Sequence, residues 1–543
     1  MSDDSTPLSQ LEQALNSRGF AYYGRAGNGR PVFQGTLCAN GVELPAKIYV
    51  DMTGQELPEV FVRLPPGTPQ VLPHIGANGF VCFASRGTLV LDIFDLPGQI
   101  LGCLDRATHV LDLSLSGGMQ NELEDEFFAY WGGELCFLDV EPGSQAPLTV
   151  MYLHRLGCAF ASGDVTKTRK KLYSLPFWVD AEILEIDGFQ ITTQAKPRPT
   201  QSDWPPRTIA KLLEWQELLD PLARRKVEQK LIQLCIRGKT MAFCLVKSPL
   251  MQYAFFVTFS TATKQSPSHR LANARQTLLS SRVHSMRTIR IDDHYLSQRN
   301  TPGCSTLEAK RIALIGCGTI GGFLAELLVK AGAGLGGGQL TLVDHDTLMP
   351  HNVGRHRLGL NHSLQKKSIA LKKELTAGAP TADVRALPVS IQEAELGPID
   401  LLIDATGEEG LSTLLAKQFS EAFVPTLTVW IEGPGIAVRA LMRDCPEAAC
   451  VRCLCAAHGE QLFPVVQGAM PEDLAGHGCE NLYVPFPATV SVQAACLAAE
   501  MVKDWLSADC SPRLRTRVTG KGYAQSTVDM DVPKRHTCPA CVI

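Results

Sequence analysis

At 543 residues the chain is too long for one hydrophobic core, and 45% hydrophobic with 20% charged residues is an ordinary globular composition. A net charge of −4 gives no sign of a surface that coats nucleic acid, so no nucleic-acid partner is expected. The N-terminal MSDDSTPLSQLEQAL lacks the basic and apolar regions of a secretory signal. No apolar run reaches membrane-spanning length, so the expectation is a cytoplasmic protein with no membrane partner. In such a chain the 18 cysteines read as buried thiols, metal ligands or nucleophiles rather than disulfides.

Three regions follow in chain order. Residues 1–145 open with an amphipathic helix, Leu8 to Ser17, and continue with short strands at Pro31 to Leu37, Lys47 to Val50 and Glu59 to Arg63. They close with an acidic helix around Asn121 to Tyr130, an α+β pattern. Residues 146–305 contain the proline-rich turn KPRPTQSDWPP, a long helix from Arg207 to Arg237 and strands at Met241 to Val246 and Tyr253 to Ser260. The polar stretch Thr261 to Ser281 reads as a loop, and this α+β middle region carries no catalytic motif, only the character of a linker or docking domain. Residues 306–543 alternate helices with strands at Arg311 to Ile315, Gln339 to Val343, Val384 to Pro388, Asp400 to Ile403 and Thr426 to Ile431. That alternation predicts a doubly wound, Rossmann-like parallel sheet, making the chain α/β in its C-terminal part.

The strand RIALIG runs into GCGTIG and then into the helical FLAELLVKAG. Gly316, Gly318 and Gly321 thus form a G-x-G-x-x-G turn at a helix N-terminus, where free amides and the helix dipole favour a phosphate. Asp344 ends the next strand, where a ribose hydroxyl is held. This pattern alone fits a dinucleotide-binding dehydrogenase equally well, and no Walker-type loop is present. The following segment decides for a triphosphate: Asp344, Asp346, Asn352, Arg355 and Lys367 fall within a short span. Arg and Lys neutralise phosphate charge and Asn orients it, whereas a nicotinamide site has no use for such a cluster. A solvated charged loop is the bland alternative.

Cys450-x-x-Cys453 and Cys538-x-x-Cys541 are two knuckle pairs, a spacing that encloses a tetrahedral zinc in a closed structural site. Cys455 leaves open which thiols bind. Cys479 follows a glycine-rich GHG in a loop, where a reactive thiol is more plausible than in a core, and His477 or a nearby cation is placed to lower its pKa.

The segments just described resemble the ThiF/MoeB family and its relatives, the ubiquitin-activating enzymes. The pattern of glycine turn, D-x-D strand end, N-x-x-R and helix-opening lysine stands here as Gly316-Gly318-Gly321, Asp344-His345-Asp346, Asn352 to Arg355 and Lys367, with Lys366 the alternative for a shorter loop. The resemblance implies adenylation of the C-terminal carboxylate of a protein cargo with ATP and magnesium, a zinc staple on the two cysteine pairs, a homodimer, and Cys479 as the thiol that attacks the acyl adenylate. Of the family's D-x-T-D, this chain keeps Asp404 but has Gly407 at the magnesium aspartate, with Glu408 as the candidate substitute.

In the N-terminal region, Leu72-Pro73-His74-Ile75-Gly76-Ala77-Asn78-Gly79-Phe80-Val81-Cys82 resembles the active-site stretch of ubiquitin-conjugating enzymes, H-P-N-I, three residues, G, two residues, C. Pro73, Ile75, Gly79 and Cys82 match in register, while Leu72 replaces the histidine and His74 the asparagine. The resemblance implies that Cys82 accepts the cargo from Cys479 and passes it to a target amine, on a protein lysine or a small molecule. His74 would support the oxyanion or serve as a base, or it is purely structural. The combination resembles bacterial fusions of conjugating and activating domains in cyclic-oligonucleotide-based antiphage (CBASS) operons. There the implied cargo is the C-terminus of a cGAS-like nucleotidyltransferase. The rival readings are an activator of a sulfur-carrier or other ubiquitin-like protein, a dehydrogenase, and a zinc-stapled nucleotide sensor without catalysis.

Overall fold

A computed structural model describes residues 6–541 apart from 85–88, 90, 177–182, 201–203, 250, 260–269, 422, 456–459, 472–473 and 477–481. The chain divides into two compact units, Met1–Phe137 with Gln145–Ala161 and Glu182–Ile289, and Leu138–Ser144 with Ser162–Ala181 and Arg290–Ile543.

The first unit starts with helix α1 (Pro7–Asn16), capped by the Thr6 side chain on the Ser9 amide, with Leu11 and Leu15 buried one turn apart. Strands β1 (Ala21–Arg25), β2 (Pro31–Ala39), β3 (Val42–Tyr49) and β4 (Glu59–Val62) follow as an antiparallel sheet in sequence order. Along β3, Leu44, Ala46 and Ile48 alternate inward. They meet Ile100, Leu104, Ala107 and Leu111 of helix α2 (Leu96–Ser116) in one core. Sequence analysis missed this long helix, although it carries an Asp95 cap, Pro97 in its first turn and Gly117 at φ +80° after its end.

The acidic helix expected over Asn121 to Tyr130 is instead a 3₁₀ turn, Gln120–Leu123, followed by the short α3 (Phe127–Trp131). In one helix Glu122 and Glu126 would repel at i,i+4 spacing. Here both carboxylates turn to His74.

The middle of the chain closes a barrel. Strands β5 (Glu134–Asp139), β6 (Leu148–Leu153), β7 (Cys158–Ser162), β8 (Ile183–Thr192), β9 (Met241–Lys247), β10 (Gln252–Thr258) and β11 (Arg282–Arg290) join in the order β10-β11-β5-β7-β6-β8-β9. Helix α4 (Val165–Tyr173), between β7 and β8, is counted with the second unit. The helix expected from Arg207 to Arg237 is two, α5 (Ile209–Leu219) and α6 (Pro221–Ile236). Pro221 cannot continue the first, and Asp220 caps the second by accepting from the Leu222 and Ala223 amides at 2.9 and 3.1 Å. The expected polar loop up to Ser281 contains helix α7 (Arg270–Ser280), held by Leu278, which is fully buried with Trp215, Leu231 and Phe255. Burial of Leu278 outweighs a polar composition that reads as loop.

In the second unit, helix α8 (Asp293–Gln298) leads to β12 (Arg311–Ile315), β13 (Gln339–Val343), β14 (Val384–Leu387), β15 (Leu401–Asp404), β16 (Thr426–Glu432), β17 (Ala437–Arg443) and β18 (Leu514–Val518). The sheet order is β14-β13-β12-β15-β16-β17-β18, the first five parallel and the last two antiparallel. Helices α9 (Thr319–Lys330), α10 (Lys367–Gly378), α11 (Glu409–Glu421) and α12 (Ala488–Leu506) complete the doubly wound layer structure. Strand order reverses between β12 and β15, which opens a crevice at their C-terminal ends. Among the described residues no helix is long and apolar enough to cross a membrane.

Replacing Asp220 with alanine removes the α6 cap and the acceptor of the Thr193 hydroxyl at 2.6 Å. A loss of about 1–2 kcal/mol is expected, read as a lowered urea midpoint by tryptophan fluorescence, since Trp204 and Trp215 report on this core.

Candidate active site

The crevice between β12 and β15 is a cleft of about 640 Å³, lined in part by Gly316, Gly318, Asp346, Lys367, Gly407 and Glu408. Gly316 sits at φ +87°, and a Cβ on Gly321 would lie 1.9 Å from the Gly316 carbonyl oxygen, so only glycine lets α9 approach the turn. Gly318 is the N-cap of α9 and supplies no side-chain cap, leaving the first helical amides open to an anion.

Asp344 braces this turn. Its two carboxylate oxygens accept from the Cys317 and Asp346 amides, each at 2.7 Å. His356, which sequence analysis missed, braces it from a third side: its Nε2 lies 2.9 Å from the Cys317 carbonyl and its Nδ1 accepts from the Leu358 amide at 3.0 Å. Those bonds fix a neutral ring, and burial lowers its pKa to about 4.

Lys367 opens α10 and reaches Asp346 Oδ2 at 2.7 Å. Burial pushes the Asp346 carboxyl up, but the hydrogen bond and charge of Lys367 outweigh it, and the pKa is lowered. Lys366 turns instead to the His345 carbonyl at 2.6 Å, so Lys367 is the lysine of the cleft. Asn352 and Arg355 are not on the cleft lining. The Asn352 side chain accepts from the Met349 amide at 3.0 Å. Arg355 donates to the Val484 carbonyl at 3.0 Å and lies 4.4 Å over the Phe486 ring, behind the wall that Val484 and Phe486 form.

Asp404 is buried at the end of β15, accepting from the Thr406 amide and hydroxyl and from Ser412, and burial raises its pKa despite those bonds. At Gly407, φ is +70° and an added side chain would meet nothing within 4 Å, so the space of the family's aspartate is open.

Cys450, Cys453, Cys538 and Cys541 converge although the pairs are far apart in sequence. Their sulfurs stand 3.9 Å (450–453), 3.7 Å (450–538) and 3.5 Å (453–541) apart, all buried. A tetrahedral zinc with bonds of about 2.3 Å requires sulfur separations of about 3.8 Å, so the four thiols fit that ion. Cys455 faces Glu409 at 3.6 Å and lies outside the set.

The predicted nucleophile Cys82 is exposed. Its loop returns along β4 through the Val62 amide to the Gly79 carbonyl and the Val81 amide to the Val60 carbonyl, both 2.8 Å. Gly79 is at φ +83°, and a Cβ there would lie 2.0 Å from the Val62 carbonyl oxygen, which explains the glycine in the motif. The Cys82 amide donates to the His74 carbonyl at 2.8 Å, and His74 is held at φ +60°. The His74 amide donates to Glu126 at 2.9 Å, its Nε2 lies 2.6 Å from Glu122, and its Nδ1 lies 2.6 Å from Glu126, close but out of line for a hydrogen bond. Ser114 donates to the Pro73 carbonyl at 2.8 Å, and the Tyr130 hydroxyl lies 2.5 and 2.9 Å from the Leu72 and Ile75 carbonyls. Burial, then the Glu126 charge, raise the Tyr130 pKa to about 12. The same two causes hold the Cys82 thiol above its ordinary range. Sequence analysis missed Ser114, Glu122, Glu126 and Tyr130. The only signal was the acidic run before Phe127.

Cys479 and His477 fall among residues 477–481, outside the described residues.

The ThiF family model matches residues 293–540 and the Prokaryotic E2 family B model residues 30–135. An adenylating domain behind a conjugating-type domain makes the chain an activating and conjugating transferase of the ubiquitin-like kind. An ATP-dependent ubiquitin transferase-like protein Cap2 of Pseudomonas aeruginosa is 42% identical over 540 residues, 98% of each chain. The Vibrio cholerae protein of the same name is 28% identical, covering 80% of this chain and 81% of that one. The chain belongs to this Cap2 family. Among solved structures, Escherichia coli MccB with succinimide matches at 15% identity and TM-score 0.34, covering 45% of this chain and 68% of that one.

Two measurements test these environments. The folded chain resists the proton that an unfolded histidine takes near its usual 6.5, so His356 contributes fully above that pH and its contribution falls as pH drops toward about 4. The expected slope is at most about 1.4 kcal/mol per pH unit, flattened in His356→Gln when unfolding is compared across that range. Glu126→Gln removes the charge facing Cys82, and alkylation of Cys82 by iodoacetamide near pH 8 is expected to speed up about two- to fivefold.

Proposed function

We propose that this enzyme adenylates the C-terminal carboxylate of a protein cargo, captures it as a thioester on Cys479, transfers it to Cys82 and delivers it to an amine of a target. The observation that carries the reading is the uncapped start of α9 beside Lys367 in the β12–β15 crevice. The open helix amides and the Lys367 ammonium suit the phosphates of ATP. Gly316, Gly318 and Gly321 shape the turn, Asp344 after β13 and Asp404 at the end of β15 brace the crevice, and Asp346 orients Lys367. Magnesium would supply charge neutralisation at the phosphates, and Glu408, on the same lining, is the carboxylate placed to hold it in place of the aspartate absent at Gly407. Arg355 supports the adjoining wall through Val484 and Phe486, and Asn352 holds the turn at Met349.

The cargo carboxylate attacks the α-phosphorus, and pyrophosphate leaves. The Cys479 thiolate then attacks the acyl carbon, and AMP leaves. Val484, on the cleft wall, follows Cys479 by five residues, which limits the span by connectivity to about 18 Å. The Cys82 sulfur next takes the acyl group by thioester exchange, and the target amine closes the sequence with an amide bond and a free thiol. The His74 amide and ring position the Cys82 loop through Glu122 and Glu126. Zinc held by Cys450, Cys453, Cys538 and Cys541 would staple the C-terminal segment to the domain. The cargo proposed is a cGAS-like nucleotidyltransferase in antiphage defence, and the assembly a homodimer through the adenylating domain.

A non-reducing gel with ATP, magnesium and the protein encoded beside this one tests the relay. Thiol-sensitive adducts are expected in the wild type, lost in Cys479→Ala and retained on Cys479 in Cys82→Ala. Lys367→Ala is expected to slow ATP–pyrophosphate exchange by about a hundredfold or more. ATP turnover to AMP without any adduct would reject the thiol relay or the choice of cargo while leaving adenylation standing.

A further inference from the structure

A groove of about 850 Å³ in the first unit opens at one mouth of the barrel, where β9 and β11 begin and β10 ends. Across the β10–β11 pair Thr258 faces Arg282 and Phe256 faces His284. Directly opposed residues share a face of the sheet. That face is opposite to the one carrying Val257 and Val283, which pack into the helix-covered core. Arg207 arrives on the segment before α5, its carbonyl accepting from the Val283 amide at 3.0 Å while Thr208 bridges Arg282. Arg207, Arg282 and His284 are therefore gathered on one rim by backbone pairing, and all three are exposed. None of them makes an ion pair among the described residues. Among the described residues the one acidic lining residue, Glu134, accepts the Tyr152 hydroxyl at 2.9 Å. The floor is closed where β5 begins: a Cβ on Gly133 would lie 1.8 Å from the Ser285 carbonyl oxygen.

We propose that this groove docks an acidic segment of the target polypeptide, the one whose amine receives the acyl group from Cys82; the inference rests on the first unit being the conjugating module. Two guanidiniums that make no ion pair among the described residues, set in a concave site, attract carboxylates, and their forks suit bidentate pairing. The mouth of a barrel is a common place for a ligand. A nucleic acid fits less well, because base stacking needs an accessible aromatic face. Phe256 is only 3% exposed and the Tyr152 hydroxyl is engaged.

Chain connectivity keeps the groove within reach of Cys82, where the target amine must arrive. Glu126, which touches His74 of the Cys82 loop, is eight residues before Glu134 on the groove, at most about 28 Å even fully extended. A lysine within roughly ten residues of a docked acidic segment can therefore span to Cys82. Docking of this kind raises the effective concentration of that lysine over others.

The test uses the full chain and a fluorescein-labelled dodecapeptide of Glu, Gly and Ser with one Lys, followed by anisotropy. Binding is expected in the wild type, weakened about tenfold or more by Arg207→Glu with Arg282→Glu and weakened by raising salt from about 0.05 to 0.5 M. The charge-mirrored peptide, Lys for Glu, is expected to prefer that double variant, which also shows that the variant is folded. Arg207→Gln with Arg282→Gln should shift affinity in the same direction by less. Equal binding by wild type and double variant, equal binding of a Gln-for-Glu peptide, or tighter Arg-dependent binding of a single-stranded DNA dodecamer would each overturn the proposal. ATP–pyrophosphate exchange by the wild type is a separate readout, and its failure bears on the adenylating reading alone.

Discussion

The approach of Gly321 to the Gly316 carbonyl is the contact on which the nucleotide cleft depends. With no Cβ at Gly321, α9 starts close against the end of β12, and its free amides open into the crevice rather than into solvent. Two further elements then hold the turn in place. Asp344 after β13 takes the Cys317 amide, and His356 from the loop before α10 takes the Cys317 carbonyl. The turn is thus fixed at both polar groups of one residue, by one anionic and one neutral partner. Because His356 stays neutral, it adds no positive charge to compete with Lys367 for the phosphates.

The Cys82 loop is organised on a different principle. Its carbonyls and amides are tied down by side chains from α2, from the 3₁₀ turn and from α3, while the thiol remains exposed. Partial enclosure by its loop and the Glu126 charge both favour the protonated form of the thiol. A protonated, exposed thiol is slow to oxidise. Helix α3 joins this loop to the barrel: Glu126 and Tyr130 face the loop, while Phe127 and Trp131 are buried in the barrel core and Trp131 donates to the Ala254 carbonyl at 3.1 Å. The barrel therefore sets the position of groups that meet Cys82.

Much of the second unit was readable from sequence because its signals are local. The five parallel strands, the glycine turn and the cysteine pairs each show within a few residues, and the observed strands differ from the expected ones by a residue or so at their ends. The barrel was not readable, because its strands pair across long separations and β5, β6, β7, β8 and β11 lack clean alternation. Nor could sequence show that Arg355 turns to the Val484 carbonyl on the cleft wall, or that Glu122 and Glu126 abandon a helix for His74. Those outcomes depend on partners 48 to 129 residues away. Ser114 was hidden for the same reason: a serine on a helix announces nothing until the Pro73 carbonyl is beside it.

Closure of the barrel has a consequence for recognition. Since β9 pairs with β10 and β8 with β9, each of these strands spends its backbone groups on its neighbours. A partner cannot add a strand of its own there, as it can on an open sheet edge. What binds at its mouth is read through side chains rather than through strand addition. Such a surface can change its preference by one or two substitutions without disturbing a single ladder bond, which leaves partner choice free to drift while the frame behind Cys82 stays fixed.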